Sequence, residues 1–243
     1  MGTIRSKKLQ KVKDRLASSF LISEPFTWNK KQVEIIDQMI SPKSKCIIID
    51  SLAGTGKTIM STFAALSLVQ KKQYFKIYYV RSAVESASSK LQALPGSWEE
   101  KIAVYGGPLL DALNKLLNPE EIHAFFAAKR IEIVPVSYLR GRSFDNSVII
   151  VDEAQNFTLN EIITIMTRLE ETSKMFIIAD SDQCDLPKHL HTEFKKLIDL
   201  FNNEDSVEHN IHYFEMKDPE YVMRSEFVKF ISNRYSKYLQ IIK

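Results

Sequence analysis

Short apolar runs alternate with longer amphipathic segments over most of the chain. The run at residues 46–50 has no polar alternation, which is typical of a strand buried on both faces of a parallel sheet. Similar runs occur at 76–80, 131–136, 148–151 and 175–179, and a further candidate strand lies at 211–214.

The segments between these runs predict helices at 57 to about 69, 108 to about 117, 119 to about 129, 159–169 and 219 to about 238. Two of them place their apolar residues on one stripe, namely Leu159, Ile162, Ile163, Met166 and Leu169, and then Phe227, Ile231, Tyr235, Tyr238 and Ile242. Strands that alternate with helices predict an α/β fold with a doubly wound, mostly parallel sheet flanked by helices. No internal repeat or low-complexity linker interrupts the pattern, so we expect a single domain.

Composition places the chain among globular proteins. Its 243 residues are 44% hydrophobic and 26% charged, which excludes wholesale disorder. No run approaches the roughly 18–20 apolar residues of a membrane helix, and no apolar core follows the first positive charges, so neither a membrane span nor a secretory signal is predicted. The two cysteines, Cys46 and Cys184, cannot form a disulfide framework or a zinc site alone, which favours a reducing cytoplasmic compartment.

Residues 1–25 are predicted to be a basic extension that precedes a domain at 26–243. The formal net charge of the chain is only +3, but one acid, Asp14, stands among the basic residues Arg5, Lys7, Lys8, Lys11, Lys13 and Arg15. The extension is either a solvated tail or short helix, or an arm that grips phosphate backbones, and the sequence does not choose between them.

A glycine-rich segment follows the first predicted strand directly and opens a helix. It predicts a phosphate-binding loop, because backbone N–H groups can turn inward around an anion at a helix N-terminus. The motif begins at Ser51 instead of the usual glycine, and a small residue there still permits a tight turn. The predicted nucleotide-binding residues are Leu52, Ala53, Gly54, Thr55, Gly56, Lys57 and Thr58. We expect Lys57 to reach the β- and γ-phosphates and Thr58 to hold Mg²⁺ through its hydroxyl.

Two adjacent carboxylates, Asp152 and Glu153, end the strand predicted at 148–151. Taken alone, such a pair often caps the following helix. Combined with a phosphate-binding loop, Asp152 would coordinate Mg²⁺ through water, and Glu153 would orient and deprotonate an attacking water. Phosphoryl transfer requires little beyond positioning, charge neutralisation and a placed water.

Two glutamines are candidates for reading the nucleotide. Gln183 follows the strand predicted at 175–179, where its amide would hydrogen-bond the γ-phosphate and report its presence; the alternative is an ordinary polar loop. Gln32 lies upstream of the first strand, where an amide can pair with the donor and acceptor atoms of adenine. Taken singly, Gln32 is more simply an exposed helix residue.

Together these segments resemble the PhoH family, a branch of the P-loop ATPases related to superfamily-1 helicases. The resemblance runs from about residue 32 to 235 and includes the glycine-rich loop and the segments 81–85, 138–143, 151–156, 182–187 and 221–225. Ser82 stands where the family usually has proline, and Ser225 where it usually has histidine.

The resemblance implies a RecA-like P-loop fold, with Mg²⁺-dependent binding and hydrolysis of ATP. It also implies a link to RNA and to phosphate-starvation responses. The short chain is similar to phage-borne members of the family, which would place it in the cytoplasm of a bacterium or a phage-infected host.

A single domain of this kind leaves one side of the γ-phosphate open, and no second phosphate-loop domain fits within 243 residues. An arginine from a neighbouring copy would close that side, and such an arginine contributes about 10³–10⁵-fold in rate in comparable enzymes. We therefore predict a head-to-tail homo-oligomer, such as a hexameric ring. Arg224 is the leading candidate, because it matches a family position and opens the predicted C-terminal helix; Arg140 and Arg142 are the others.

A long excursion after the second strand combines basic and aromatic residues, which can bind single-stranded RNA or DNA by charge and stacking. These residues are Arg81, Lys90, Trp98, Lys101 and Tyr105, and the aromatic ones would alternatively pack the excursion onto the domain. The leading prediction is thus an oligomeric, helicase-like ATPase associated with nucleic acid. The alternatives are a nucleotide-gated binding module with negligible turnover and a small-molecule kinase. Glu153 beside Asp152 favours hydrolysis, because a kinase must keep water from attacking.

Overall fold

The computed structural model describes residues 20–23, 27–82, 106–136 and 143–223, together with single helical positions at 227, 230, 231, 234 and 238. Most of the basic extension and most of the excursion after the second strand therefore lie outside the described residues. The same is true of three predicted arginines, Arg140, Arg142 and Arg224.

Among the described residues, six strands form one sheet. They are β1 (Cys46–Ser51), β2 (Lys76–Arg81), β3 (Ile131–Pro135), β4 (Ser147–Asp152), β5 (Lys174–Ala179) and β6 (Ile211–Met216). Their order is β3-β2-β4-β5-β1-β6, and every neighbouring pair is parallel. All residues of β1, β4 and β5 are buried, which explains their continuous apolar pattern. The predicted parallel sheet is confirmed.

Helices cover both faces of this sheet. They are α1 (Lys30–Ile40), α2 (Lys57–Gln70), α3 (Gly107–Leu116), α4 (Pro119–Ala127), α5 (Leu159–Met166), α6 (Glu193–Phe201) and α7 (Glu204–Glu208). Helices α1–α4 pack on one face and α5 and α6 on the other, so successive residues of β1 point into two different cores. The helix predicted at 159–169 ends earlier, because Leu169 instead forms a β-bridge with Phe144. The sequence pattern did not predict α6 and α7.

The helix predicted from residue 219 does not begin there. Pro219–Tyr221 is a single 3-10 turn, and Val222 after it is extended. The backbone N–H of Met223 donates to the carbonyl of Gly54 at 2.9 Å, so this stretch runs against the glycine-rich loop instead of continuing a helix. The described helical positions resume at residue 227.

The end of the predicted extension contacts the domain. The ring of Phe20 is buried and meets Phe125 edge-on, with centroids 4.9 Å apart, and the Gln70 amide donates to the Phe20 carbonyl at 2.6 Å. The boundary between the basic extension and the domain, set at residues 25 and 26, stays a prediction. None of the helices in the described part of the chain combines the length and the apolar character needed to cross a membrane.

Candidate functional site

The glycine-rich segment turns at the carboxyl end of β1 and leads into α2. Gly54 and Gly56 have φ angles of 83° and 84°, in the left-handed region that glycine enters without steric cost. Thr55 holds the turn from inside, because its Oγ1 donates to the Leu52 carbonyl at 2.9 Å and lies 3.0 Å from the Ser51 hydroxyl. The side chain of Ser51 therefore stabilises the turn at the motif position where glycine is usual.

The start of α2 forms a cradle that fits a phosphate. No described side chain caps the helix at Gly56, and the first N–H groups of a helix have no partner within it. A Cβ atom on Gly56 would lie 3.2 Å from Met223 Sδ and 3.5 Å from Gln32 Nε2, so two other segments approach the backbone closely here. Lys57, the first residue of α2, is 8% exposed. Free backbone donors, the positive helix end and an adjacent ammonium group suit an anionic ligand.

The two predicted metal ligands, Thr58 and Asp152, meet across 94 residues of chain: Thr58 Oγ1 donates to Asp152 Oδ2 at 3.3 Å. Asp152 is fully buried at the end of β4, and its Oδ1 accepts the Glu153 N–H at 2.9 Å. Within the described residues, no group of three or more His, Cys, Asp or Glu side chains could hold a metal ion. The Thr58 hydroxyl and the Asp152 carboxylate are oxygen donors, and these suit Mg²⁺, which takes most of its ligands from water and phosphate in sites of this kind.

Gln155 joins the predicted catalytic base to the predicted sensor loop. Its Nε2 donates to Glu153 Oε2 at 2.6 Å and to the Gln183 carbonyl at 3.0 Å, and its Oε1 accepts the Asp180 N–H at 3.0 Å. Glu153 has φ 55° and ψ 44°, a left-handed conformation that is uncommon outside glycine. The Gln155 amide thus fixes the Glu153 carboxylate, and the left-handed backbone turns the chain sharply at this residue.

A second pair of contacts fastens the same two segments. Asn156 Nδ2 donates to Asp185 Oδ2 at 3.1 Å, and Asn156 Oδ1 accepts the Asp185 N–H at 2.8 Å. The side chain of Gln183 is exposed, while its backbone N–H donates to the Asp180 carbonyl at 2.9 Å. A γ-phosphate contact by Gln183 stays a prediction. The roles of Gln155 and Asn156 were not predicted from the sequence, where their one signal was their position just after the acidic pair.

A charged cluster beside the loop was also missed. The Lys217 amine lies 2.9 Å from Asp50 Oδ1, 3.5 Å from Asp180 Oδ1 and 3.2 Å from Asp182 Oδ2. Ser181 donates its N–H and its hydroxyl to the two oxygens of Asp50, at 3.0 and 2.6 Å. A carboxylate that ends an apolar strand was the signal for Asp50, whereas nothing in the sequence marks Lys217.

Two pKa shifts follow from this arrangement. Burial raises the pKa of Asp180, although the charges of Lys57 and Lys217 oppose the shift. Burial alone lowers the pKa of Lys217, but the carboxylates of Asp50, Asp180 and Asp182 outweigh it and raise that pKa. Asp180 Oδ2 is buried and accepts no hydrogen bond from the described residues. An open acceptor near Lys57 suits a ligand that brings donors, such as the water around a cation.

Gln32 is buried, so the expectation of an exposed helix residue is wrong. Its Nε2 donates to the Thr55 carbonyl at 2.9 Å, and its Oε1 accepts the Asn29 N–H at 2.9 Å as half of the cap of α1. The amide thus fixes α1 to the glycine-rich loop. An adenine contact by Gln32 stays a prediction.

Arg81 ends β2 opposite Asp152 in the register of β2 and β4. It therefore lies at the same edge of the sheet as the predicted metal ligands, and its charge acts on Tyr79. A role for Arg81 in contacting nucleic acid or a neighbouring subunit stays a prediction.

Comparison with known proteins identifies the family. The chain matches the model described as PhoH-like protein over residues 26–236. It is 37% identical to a PhoH-like protein of Mycobacterium bovis over 186 residues, which cover 76% of this chain and 51% of that protein. It is 41% identical to a PhoH-like protein of Bacillus subtilis over 136 residues, which cover 56% of this chain and 42% of that protein. The chain spans about half the length of the curated relatives it matches.

The fold is similar to that of a solved structure, a large terminase from a thermophilic bacteriophage in complex with ADP. The TM-score is 0.52 at 13% identity, over 86% of this chain and 50% of that chain. At this identity the likeness concerns the fold alone, and it agrees with the predicted RecA-like P-loop architecture. The chain belongs to the PhoH family, as its sequence motifs predicted.

Proposed function

We propose that this PhoH-family chain binds ATP together with Mg²⁺ and hydrolyses it. The contact between Thr58 and Asp152 carries the proposal, because it brings the phosphate cradle and the acidic strand end to one place. The similar terminase is in complex with ADP, which supports a nucleotide ligand for this fold.

The residues of the loop and of α2 bind the phosphates. Backbone N–H groups from the turn to the start of α2 contact the β- and γ-phosphates, and the Lys57 ammonium group balances their charge. Thr58 would hold Mg²⁺ through its hydroxyl and Asp152 through a water molecule on the ion, and the bound ion would neutralise charge that develops on the phosphate oxygens. Gln32 keeps the loop in place through the Thr55 carbonyl.

Glu153 is the general base. Its carboxylate accepts a proton from a water molecule whose oxygen attacks the γ-phosphorus, and ADP leaves. Gln155 orients this carboxylate at 2.6 Å and joins it to the Gln183 loop, which couples the base to a segment able to respond to the γ-phosphate. A base that is aimed and tethered in this way favours hydrolysis over the transfer of phosphate to a small molecule.

The chain works as a homo-oligomer on single-stranded nucleic acid, in the cytoplasm where ATP is abundant. The segment that leads to Arg224 supports this extension of the proposal, because Met223 next to it donates its backbone N–H to the loop carbonyl of Gly54. A contact between the described segment that ends at Met223 and a neighbouring copy would therefore respond to nucleotide bound at the loop. Arg81, which lies opposite Asp152 at the same edge of the sheet, is a basic group near the site.

Phosphate release and nucleotide binding, measured on two variants, test the ATPase. Lys57→Ala removes the charge that faces the phosphates, so both binding and turnover are expected to be lost. Glu153→Gln keeps the shape but not the base, so binding is retained while turnover falls by about 10²–10⁴-fold. Lys71→Ala, at an exposed lysine after the same helix, is the matched control and is expected to behave like the wild type. Undiminished turnover in Glu153→Gln would remove that residue from its role.

Light scattering after gel filtration tests the assembly. With a non-hydrolysable ATP analogue and Mg²⁺, the mass is expected to be several times the 28.0 kDa of one chain. A monomer under these conditions would contradict the oligomer. An ATPase rate that does not change when single-stranded RNA or DNA is added would contradict the coupling to nucleic acid.

A further inference from the structure

The geometry points to Tyr79 as a positioning residue that acts through Asp152 and selects Mg²⁺ over a larger divalent cation. Tyr79 lies in β2, and Asp152 ends the neighbouring strand β4. The inference rests on the proposed function, because it concerns how the same site holds its cation.

The side chain of Tyr79 carries one polar group, its hydroxyl, into the hydrophobic core. The residue is fully buried in the core on the α1–α4 face of the sheet, and its hydroxyl donates to Asp152 Oδ2. A buried tyrosine hydroxyl requires a partner, and a carboxylate is a strong one. A phenylalanine would fill the same volume and pack equally well, so core packing alone does not account for the hydroxyl.

Donors from three elements converge on the Asp152 carboxylate. Oδ2 accepts from Tyr79 in β2 and from Thr58 in α2, while Oδ1 accepts the N–H of Glu153. The Thr58 hydroxyl can keep donating to Asp152 while its lone pairs turn to a cation. The Tyr79 hydroxyl is enclosed in the core, so it fixes the direction of Oδ2 whatever Thr58 does.

This arrangement weakens Asp152 as a direct ligand and preserves it as an acceptor for water. An oxygen that already accepts two hydrogen bonds offers less charge to a metal ion, whereas the aligned carboxylate can still accept from water bound to that ion. Mg²⁺ gives up its water reluctantly, while Ca²⁺ takes carboxylates directly and tolerates irregular geometry. Tyr79 therefore favours a water-mediated contact with Asp152, which suits Mg²⁺.

The neighbouring Tyr78 provides a matched control on the same strand. Its side chain packs against the opposite core, with the ring 5.1 Å from that of Phe144, and its hydroxyl accepts from the Lys76 amine at 3.3 Å. Tyr78→Phe thus removes one hydroxyl from β2 without touching Asp152.

The test titrates Mg²⁺ and, separately, Ca²⁺ into the full chain with a fluorescent, non-hydrolysable ATP analogue, and it reads binding instead of turnover. Tyr79→Phe is expected to raise the half-saturating Mg²⁺ concentration about 10-fold, the usual scale for the loss of a hydrogen bond to a metal-binding group. The Ca²⁺ curve is expected to move less than about 3-fold on the same scale. Nucleotide affinity without metal is expected to stay at the wild-type value, while the Tm is expected to fall by a few degrees because a buried hydrogen bond is lost. Tyr78→Phe is expected to match the wild type in both metal titrations.

A double-mutant cycle with Asp152→Asn tests whether Tyr79 acts through the carboxylate. In the Asp152→Asn background, Tyr79→Phe is expected to add no further shift, because the charged acceptor is already gone. The inference is overturned if Tyr79→Phe matches the wild type, shifts Mg²⁺ and Ca²⁺ equally, or adds its full effect to that of Asp152→Asn. A wild-type chain that binds the nucleotide without regard to Mg²⁺ would instead contradict the proposed function.

Discussion

The two edges of the sheet treat polar groups in opposite ways. At the carboxyl edge, no described side chain caps the start of helix α2, Asp180 Oδ2 accepts no hydrogen bond from the described residues, and Glu153 has a left-handed backbone. At the amino edge, Lys174 is buried at the start of β5, and its amine donates to the carbonyls of Met39 and Ser41, where α1 ends. The carboxyl edge keeps polar groups that can bind a ligand, whereas the polar groups of the amino edge bond to each other within the fold.

Contacts around the amino edge complete that picture. The hydroxyls of Ser147 and Ser173 lie 3.2 Å apart, and Thr172 hydrogen-bonds both Asp145 and the N–H of Asn146. A cavity of about 580 Å³ lies here, and the hydrogen bonds just described already engage Asp145, Asn146, Thr172 and Lys174 in its lining. Its size alone therefore does not indicate a ligand site.

The difference follows from the direction of the strands. Parallel strands bring their carboxyl ends and the N-termini of the following helices to the same edge, where anions are favoured. Helix C-termini meet the opposite edge, and there a lysine such as Lys174 satisfies the last carbonyls. A ligand with phosphates and a cation is therefore expected at the carboxyl edge.

The largest stability effect is expected at the carboxyl edge, from Lys217→Met. The change keeps the aliphatic stem but leaves the buried Asp50 and Asp180 without their cation, which costs about 3 kcal/mol of unfolding free energy. The deficit should shrink as pH falls below neutrality. Burial already raises the pKa of Asp180, and loss of the Lys217 charge would raise it further, so Asp180 regains stability in the variant when it takes up a proton.

Urea denaturation at several pH values measures the Lys217→Met deficit. Asp182→Asn is the control, because Asp182 is the solvent-exposed partner of Lys217, and its cost is expected to stay below about 1 kcal/mol. A loss below about 1 kcal/mol for Lys217→Met at neutral pH would show that the cluster is not held by that charge.

The second effect, at the amino edge, is a dependence of stability on pH. Burial, with a contribution from Lys45, lowers the pKa of Lys174 from 10.5 to about 8. Between these values the unfolded chain holds more protons than the folded one, so this lysine makes the fold more stable as pH rises from 8 to 10.5. The gain is expected to be on the order of 2 kcal/mol.

Comparing the unfolding free energies of the wild type and Lys174→Met over that range isolates the Lys174 contribution from the titration of other groups. The difference between the two proteins should change in favour of the wild type as pH rises. A difference that does not depend on pH would mean that Lys174 carries its proton equally in the folded and unfolded chains.

The smallest effect is expected from Glu171→Ala at the amino edge. The Glu171 side chain is fully exposed and lies 3.6 Å from the Lys45 amine, which also donates to the backbone carbonyls of Glu170 and Glu171. Those bonds survive the change and water screens the exposed ion pair, so thermal unfolding should give a Tm indistinguishable from that of the wild type. A clear fall in the Tm would show that the surface ion pair stabilises the amino edge.

Local sequence patterns predicted individual strands and helices, because the residues of each element are neighbours in the chain. The apolar runs gave the strands, because residues buried on both faces leave no room for polar alternation. The prediction of a helix from residue 219 was wrong, since apolar periodicity cannot show that Met223 gives its N–H to Gly54. Gln32 was missed as a buried residue for the same reason, because its partner Thr55 lies 23 residues away.

The sequence by itself determined the family and the parallel α/β architecture, and it predicts that Lys57, Thr58, Asp152 and Glu153 carry the chemistry. It could do so because each motif is contiguous and its spacing reflects local geometry. Only the tertiary structure decided which other side chains orient these residues and their neighbours through hydrogen bonds. Tyr79 reaches Asp152 across 73 residues and Ser181 reaches Asp50 across 131. Such contacts depend on strand order and register, which place β5 between β1 and β4, and no local pattern encodes that order.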